Sequence, residues 1–136
     1  MASAPVILVV DDEPDIVESL DFALRRKGYE VRVAYDGESA LESARQDPPD
    51  LMLLDVMMPG RNGYEISREV KEWARKTAHV EEFPVMLVTA RRLNSPQREE
   101  FVSTWSQADE VLYKPFGITR LLDRVGELCP APGGVA

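Results

Sequence analysis

Apolar residues along the chain fall into five short runs, each followed by a segment with helical spacing. Three runs are nearly unbroken, namely Val6–Val10, Leu51–Leu54 and Val85–Val88. Apolar runs of this length, closed by turn residues, are typical of strands buried on both faces. Tyr29–Ala34 alternates apolar and polar positions, which predicts an edge strand exposed on one side. A fifth, shorter strand is predicted at Val111–Tyr113.

Between these runs, apolar residues recur every three or four positions, which predicts amphipathic helices. Pro14 and Pro96 each suit the first position of a helix. The fourth helix differs from the others because only Phe101, Val102 and Trp105 form its apolar face. We therefore expect thin packing there, with Trp105 interpreted as a core residue.

Strands that alternate with helices imply a parallel sheet with helices on both faces and right-handed crossovers. The predicted fold is a doubly wound five-stranded α/β sandwich, and residues 1–136 are expected to form one domain. Its core covers about residues 6–128. Residues 129–136 are small and rich in Pro and Gly, which predicts a flexible tail.

Composition excludes several classes of function. The net charge of -8 argues against a nucleic-acid-binding protein, which needs a basic face. A single cysteine cannot form an internal disulfide, so an oxidising compartment is not implied. No apolar stretch reaches membrane-spanning length and no secretory signal is recognisable, so we expect a cytoplasmic location without membrane insertion.

Four of the five strand ends carry chemically functional residues. Asp11 and Asp12 follow the first strand, Asp55 the third, Thr89 the fourth and Lys114 the fifth. Because parallel strands end at one edge of the sheet, we expect these residues to share a rim. Each alone has an ordinary interpretation: aspartates cap helices, hydroxyls bond to the main chain and lysines are solvated. Those interpretations do not predict four matching strand ends.

The chemistry of this set favours phosphoryl transfer. Three carboxylates repel one another unless a cation is bound, and an all-oxygen donor set suits Mg²⁺. The Lys114 ammonium and the Thr89 hydroxyl suit an anion beside that cation. Asp55 is then the nucleophile, because carboxylates form aspartyl phosphates in some enzymes.

The sequence resembles the receiver domains of two-component response regulators, the family of the chemotaxis regulators. The residues that carry the resemblance are Asp11-Asp12, the segment DVMMPGRNG from Asp55 to Gly63, Thr89-Ala90 and Lys114-Pro115-Phe116. It covers about Val6 to Leu128. The resemblance implies the flavodoxin-like strand order 2-1-3-4-5.

The resemblance also implies a signalling switch that is not an enzyme in the ordinary sense, although it assists its own phosphorylation and dephosphorylation. Asp55 would accept a phosphoryl group from a sensor histidine kinase or a histidine phosphotransfer protein. The protein would then change its surface toward a downstream protein target. Thr89 and Lys114 would bind the phosphoryl oxygens.

A magnesium site follows from the same resemblance. It implies that Mg²⁺ is bound by Asp12, Asp55 and the Met57 backbone carbonyl, with Asp11 in support. Two departures from the family concern other positions. Val111 stands where an aromatic residue is common, three positions before the lysine, and no glycine precedes the fifth strand. We therefore predict that the threonine–aromatic switch of the family is absent or rerouted.

Three alternatives remain open from the sequence. The chain could be a receiver-fold adaptor that is never phosphorylated, or a receiver cut from a larger regulator or hybrid kinase. An aspartate-nucleophile phosphatase is disfavoured, because such an enzyme needs a general acid two residues after the nucleophile. Met57 occupies that position and cannot donate a proton.

Overall fold

The fold is a five-stranded parallel sheet, seen in a computed structural model that describes residues 4–90, 93 and 95–131. The strands are β1 Val6–Val10, β2 Glu30–Ala34, β3 Leu51–Asp55, β4 Val85–Thr89 and β5 Glu110–Tyr113. The helices are α1 Pro14–Arg26, α2 Gly37–Gln46, α3 Gly63–Lys76, α4 Pro96–Ser106 and α5 Ile118–Leu128. The strand order is β2-β1-β3-β4-β5, which confirms the predicted fold class and topology.

Two apolar cores lie on opposite faces of the sheet. On one face, α2 and α3 pack on the sheet, with Leu41 of α2 and Ile66 of α3 in the same core as Leu87 of β4. On the other, α1 and α5 pack on the sheet, and Leu24 and Leu121 are fully buried. All residues of β3 and β4 are buried, as expected for unbroken apolar runs covered on both faces. These central strands place their carboxyl ends at the middle of one edge.

Helices α2, α3 and α4 begin where a side chain accepts a hydrogen bond from one of their first N–H groups. The Asp36 carboxylate accepts from Ser39 N at 2.8 Å, and the Ser95 hydroxyl accepts from Arg98 N at 3.2 Å. Asn62 and Glu65 form a reciprocal capping box at the start of α3. None of the helices within the described ranges is long and apolar enough to cross a membrane.

The edge position of β2 is confirmed, but its predicted exposure on a single face is wrong in detail. Val31 is buried, whereas Val33 on the same face is 36% exposed. On the other face, Arg32 lies over α2 and donates to the Ser43 carbonyl at 3.5 Å. As the outermost strand, β2 has a neighbour on one side only, so burial there depends on which helix residues reach it.

Two further predictions were wrong. Trp105 is 39% exposed and is not a core residue, because α4 lies against α3 and buries only Ser106. Cys129 does not belong to a flexible tail, since it is 7% exposed and its carbonyl accepts a hydrogen bond from the Tyr29 hydroxyl. Ala131 also packs against the α1–α5 core. The rest of the predicted tail, residues 132–136, lies outside the described residues.

Candidate functional site

Main-chain hydrogen bonds fix the rim at the carboxyl edge of the sheet. Asp11 N donates to the Ala34 carbonyl at 3.2 Å, so the residue after β1 still follows the sheet. Asp55 is the last residue of β3 and lies opposite Val88 of β4. Thr89 is fully buried, and its carbonyl accepts from Lys114 N at 2.8 Å. The sheet itself therefore sets where these side chains start.

Three carboxylates converge at this rim. Asp11, Asp12 and Asp55 each offer one oxygen, and these oxygens lie within 4.8 Å of one another. Asp11 and Asp55 are only 2% and 3% exposed, and Asp12 is half-buried. Asp11 is held by a hydrogen bond from Glu13 N to its Oδ1 at 2.9 Å. Buried carboxylate oxygens at this spacing fit a divalent cation such as Mg²⁺, which takes one or two carboxylates and keeps several waters.

Lys114 brings a positive charge into the same cluster. Its Nζ lies 3.6 Å from Asp11 Oδ2 and 3.8 Å from Asp55 Oδ1. A third carboxylate, Glu13 Oε1, lies 4.0 Å from the same Nζ, and sequence reasoning missed it. The signal was present, because Glu13 directly follows the two aspartates. The peptide bond from Lys114 to Pro115 is cis.

The pKa of Asp55 is raised from 3.8 to about 6. Burial of the carboxyl group is the main cause, and the negative charge of Asp11 adds to it. Lys114 and a hydrogen bond from the Met57 N–H act in the opposite direction. At neutral pH Asp55 is therefore mostly ionised. Its surroundings disfavour that negative charge, so they favour the binding of a cation beside it.

The loop from Val56 to Asn62 closes one side of the site. Met57 N donates to Asp55 Oδ1 at 3.4 Å, while the Met57 side chain is 49% exposed at the mouth. Gly63 begins α3 directly against β3: a Cβ built on it would lie 2.5 Å from the Asp55 carbonyl oxygen. The sequence predicted a turn here, but it did not reveal this close approach.

Tyr113 lies beside Thr89, since the two are register partners across β4 and β5. Val111 lies two residues before Tyr113, on the same face of β5. It pairs with Leu87 and packs against the core on the α2–α3 face of the sheet. The shared face of Val111 and Tyr113 agrees with the period of a strand. An aromatic side chain therefore borders Thr89, but from a different strand position than the family commonly uses.

Fold and site together define a doubly wound α/β protein with an acidic, lysine-containing site at its topological switch point, between β1 and β3. The family model of the response regulator receiver domain matches residues 7–126. The chain belongs to this family. Receiver domains are phosphoacceptors that interact with kinases or phosphotransfer proteins and with downstream targets.

Solved structures agree with this assignment. The Vibrio cholerae chemotaxis protein CheY4 is 29% identical, with a TM-score of 0.79 over 93% of this chain and 99% of that one. The response regulator TrrA from Thermotoga maritima, in complex with Mg²⁺ and BeF, is 36% identical, with a TM-score of 0.76 over 91% and 98%. A CheY-like receiver domain protein from Methanospirillum hungatei is 25% identical, with a TM-score of 0.80 over 92% and 93%.

Proposed function

We propose that this protein is a phosphorylation-dependent switch in which Asp55 accepts a phosphoryl group from a sensor histidine kinase or a histidine phosphotransfer protein. The observation that carries the proposal is the convergence on Asp55. Its carboxylate is almost fully buried, lies 3.8 Å from Lys114 Nζ and is grouped with two further carboxylates. The phosphorylated protein then presents a changed surface to a downstream protein. We place this activity in the cytoplasm, where sensor kinase domains act.

The proposed transfer needs little covalent chemistry from the protein. An Asp55 carboxylate oxygen attacks the phosphorus, and the P–N bond of the donor phosphohistidine breaks. The bonding electron pair leaves with the imidazole nitrogen, which takes a proton from solvent. Lys114 and Thr89 bind the phosphoryl oxygens, so positioning and charge neutralisation supply most of the catalysis.

We propose Asp12, Asp55 and the Met57 carbonyl as Mg²⁺ ligands, with Asp11 in support. The cluster of carboxylate oxygens supports this assignment, as does the Mg²⁺ in the TrrA structure. Bound Mg²⁺ supplies positive charge that neutralises the phosphoryl oxygens during transfer. Asp11, which accepts from Glu13 N, keeps its other oxygen toward Lys114.

Mass spectrometry tests the proposal directly. Wild type, Asp55→Asn and the exposed control Asp47→Asn are incubated with Mg²⁺ and either acetyl phosphate or phosphoramidate. We expect a single phosphoryl adduct on wild type and on the control, and none on Asp55→Asn. No adduct on wild type with either donor would overturn the proposal and favour the adaptor alternative. An adduct retained on Asp55→Asn would place the acceptor elsewhere.

We also propose that the response to phosphorylation is rerouted from position 111. The support is that Val111 has no aromatic ring, whereas Tyr113 borders Thr89 across the strands. Structures with and without beryllofluoride would test this. We expect no displacement of the Val111 side chain; a large Tyr113 rotation coupled to Thr89 would show that the aromatic role has moved to Tyr113.

A further inference from the structure

We infer that Arg61 is a positioning residue of this site. It anchors the loop from Val56 to Asn62 to α2 and α3, and through that loop it holds the Met57 main chain against Asp55. The inference rests on the proposed function, because the position of the Met57 main chain matters only if Asp55 is phosphorylated and Mg²⁺ binds beside it.

The anchor is a network of four charged side chains on three elements. Arg61 Nη2 donates to Glu69 Oε1 of α3 at 2.7 Å, and Arg61 Nη1 lies 3.4 Å from Glu38 Oε1 of α2. The second oxygen of Glu69 accepts from Arg45 Nη2 of α2 at 3.0 Å. Glu69 is thus held on both oxygens, and its pKa is lowered mainly by the hydrogen bond from Arg61.

Backbone packing ties the same loop residue to α2. A Cβ built on Gly37, the first residue of α2, would lie 3.8 Å from the Arg61 carbonyl oxygen and 2.7 Å from Ile66 Cδ1. The loop therefore lies close to the first residue of α2, and Ile66 of α3 fills the space beside the same residue. Arg61 therefore approaches α2 with its main chain and contacts both α2 and α3 with its side chain.

The other end of the loop carries the contact that Arg61 would control. The loop is pinned at its base, where Val56 N donates to Val88 O and Gly63 N donates to Val56 O, both at 3.0 Å. The bond from Met57 N to Asp55 Oδ1 is longer, at 3.4 Å, so a small movement of the loop breaks it. This bond orients the carboxylate, and the next carbonyl is the proposed metal ligand.

An ordinary surface ion pair between α2 and α3 would stabilise the fold by up to about 1 kcal/mol and leave the site unchanged. Two measurements separate the roles in Arg61→Ala, Arg61→Lys, Glu69→Gln and the control Arg124→Ala, which breaks a pair between Arg124 and Glu110 at the other side of the sheet. The first is amide hydrogen exchange of residues 56–62 without metal. The second is an NMR titration of the Met57 and Met58 amides with Mg²⁺.

We expect Arg61→Ala to speed exchange in residues 56–62 only and to weaken Mg²⁺ binding about threefold, the scale of a surface ion pair. Arg61→Lys keeps the charge without the fork and should restore part of the affinity. Glu69→Gln should shift both measurements in the same direction as Arg61→Ala. The double variant Arg61→Ala/Glu69→Gln should differ little from Arg61→Ala. Arg124→Ala should change neither.

Two results would overturn the inference. In the first, Arg61→Ala has the same amide exchange and the same Mg²⁺ affinity as wild type. In the second, Arg61→Ala increases exchange over the whole protein. The failure of the proposed function looks different. In that case wild type takes no phosphoryl group from either donor, whereas loosening of residues 56–62 in Arg61→Ala is still observed. If wild type is phosphorylated and Arg61→Ala binds Mg²⁺ with the wild-type affinity, only the role of Arg61 is rejected.

Discussion

The carboxyl rim and helix α4 are built in opposite ways. At the rim, Asp11 and Asp55 are charged and almost completely buried. On α4, Phe101 is apolar and 69% exposed. The rim gathers charges where water is scarce, whereas α4 leaves aromatic surface in water. Neither arrangement is optimal for stability alone, because burial of charge and exposure of apolar surface both cost free energy.

Different forces hold the two regions. The rim is set by sheet hydrogen bonds, which leave its residues little freedom. The carboxyl end of α4 is fastened by side chains of α3 instead. The Ser67 hydroxyl donates to Ser106 O at 2.8 Å, and Arg68 donates to Trp105 O at 2.8 Å. The Arg68 guanidinium also lies 5.0 Å from the Trp105 ring centroid.

Below α4, a buried cation joins α3 to the start of β5. Lys71 is 4% exposed, and its Nζ lies 2.7 Å from Asp109 Oδ2 and 3.1 Å from the Phe83 carbonyl. The same Asp109 oxygen accepts from Val85 N at 2.8 Å. Directional polar bonds from α3 thus fasten both the end of α4 and the residue before β5.

The sharpest test of this contrast is Asp55→Asn without metal, where we expect the largest gain in stability. A carboxyl group whose pKa rises from 3.8 unfolded to about 6 folded destabilises the ionised folded state by about 3 kcal/mol. That destabilisation is complete above the folded pKa, decreases as the pH falls through 6, and vanishes below 4. Urea unfolding at pH 4 and pH 7.5 measures the difference between variant and wild type.

The control for this experiment is Mg²⁺, which should stabilise wild type and narrow the stability difference from Asp55→Asn, because the proposed metal site exists only in the folded state. An equal stability of Asp55→Asn and wild type at pH 7.5 would show that the rim is not strained by its charges. The buried charges of the rim would then carry no cost in stability, and the contrast with α4 would be wrong.

Asp109→Ala should give the second largest effect, a loss of about 2 kcal/mol. It leaves the buried Lys71 ammonium with only Glu82 and the Phe83 carbonyl nearby, and it removes the acceptor of Val85 N. Lys71→Met should cost less, because the Asp109 side chain is 36% exposed and can be solvated. Chemical unfolding of both variants tests this asymmetry; equal losses would contradict it.

Gln107→Gly should stabilise the protein by about 1 kcal/mol. Gln107 ends α4 with a φ of 62°, a left-handed conformation that glycine adopts without steric cost. Its Oε1 is buried without a hydrogen-bond partner among the described residues. This is the point where the glycine expected before the fifth strand is missing. A decrease in the unfolding midpoint would show that the glutamine side chain contributes more packing than its backbone costs.

Phe101→Ser should give the smallest effect, below about 0.5 kcal/mol, because the ring is mostly exposed already. The matched control is Leu121→Ala on α5, a fully buried position where a loss of about 3 kcal/mol is expected. Thermal unfolding compares the two. A loss above 1 kcal/mol for Phe101→Ser would mean that α4 packs more tightly than its exposure indicates.

The sequence by itself determined the strands, the helices and the rim. Apolar runs and helical spacing are local patterns, and a strand that ends in Asp55 carries that carboxylate to the sheet edge wherever the helices pack. The departures at Val111 and before β5 were also visible, because they concern single positions within a known pattern. Even the thin apolar face of α4 could be recognised in advance.

Only the tertiary structure decided which side chains meet across elements. The contact of Glu13 with Lys114, the burial of Lys71 and Cys129, and the Arg61 network each depend on how helices are oriented on the sheet. The raised pKa of Asp55 has the same origin, because it follows from burial and from the distance to Asp11. Periodicity along the chain records which face of an element is apolar; it does not record which polar groups that face brings together.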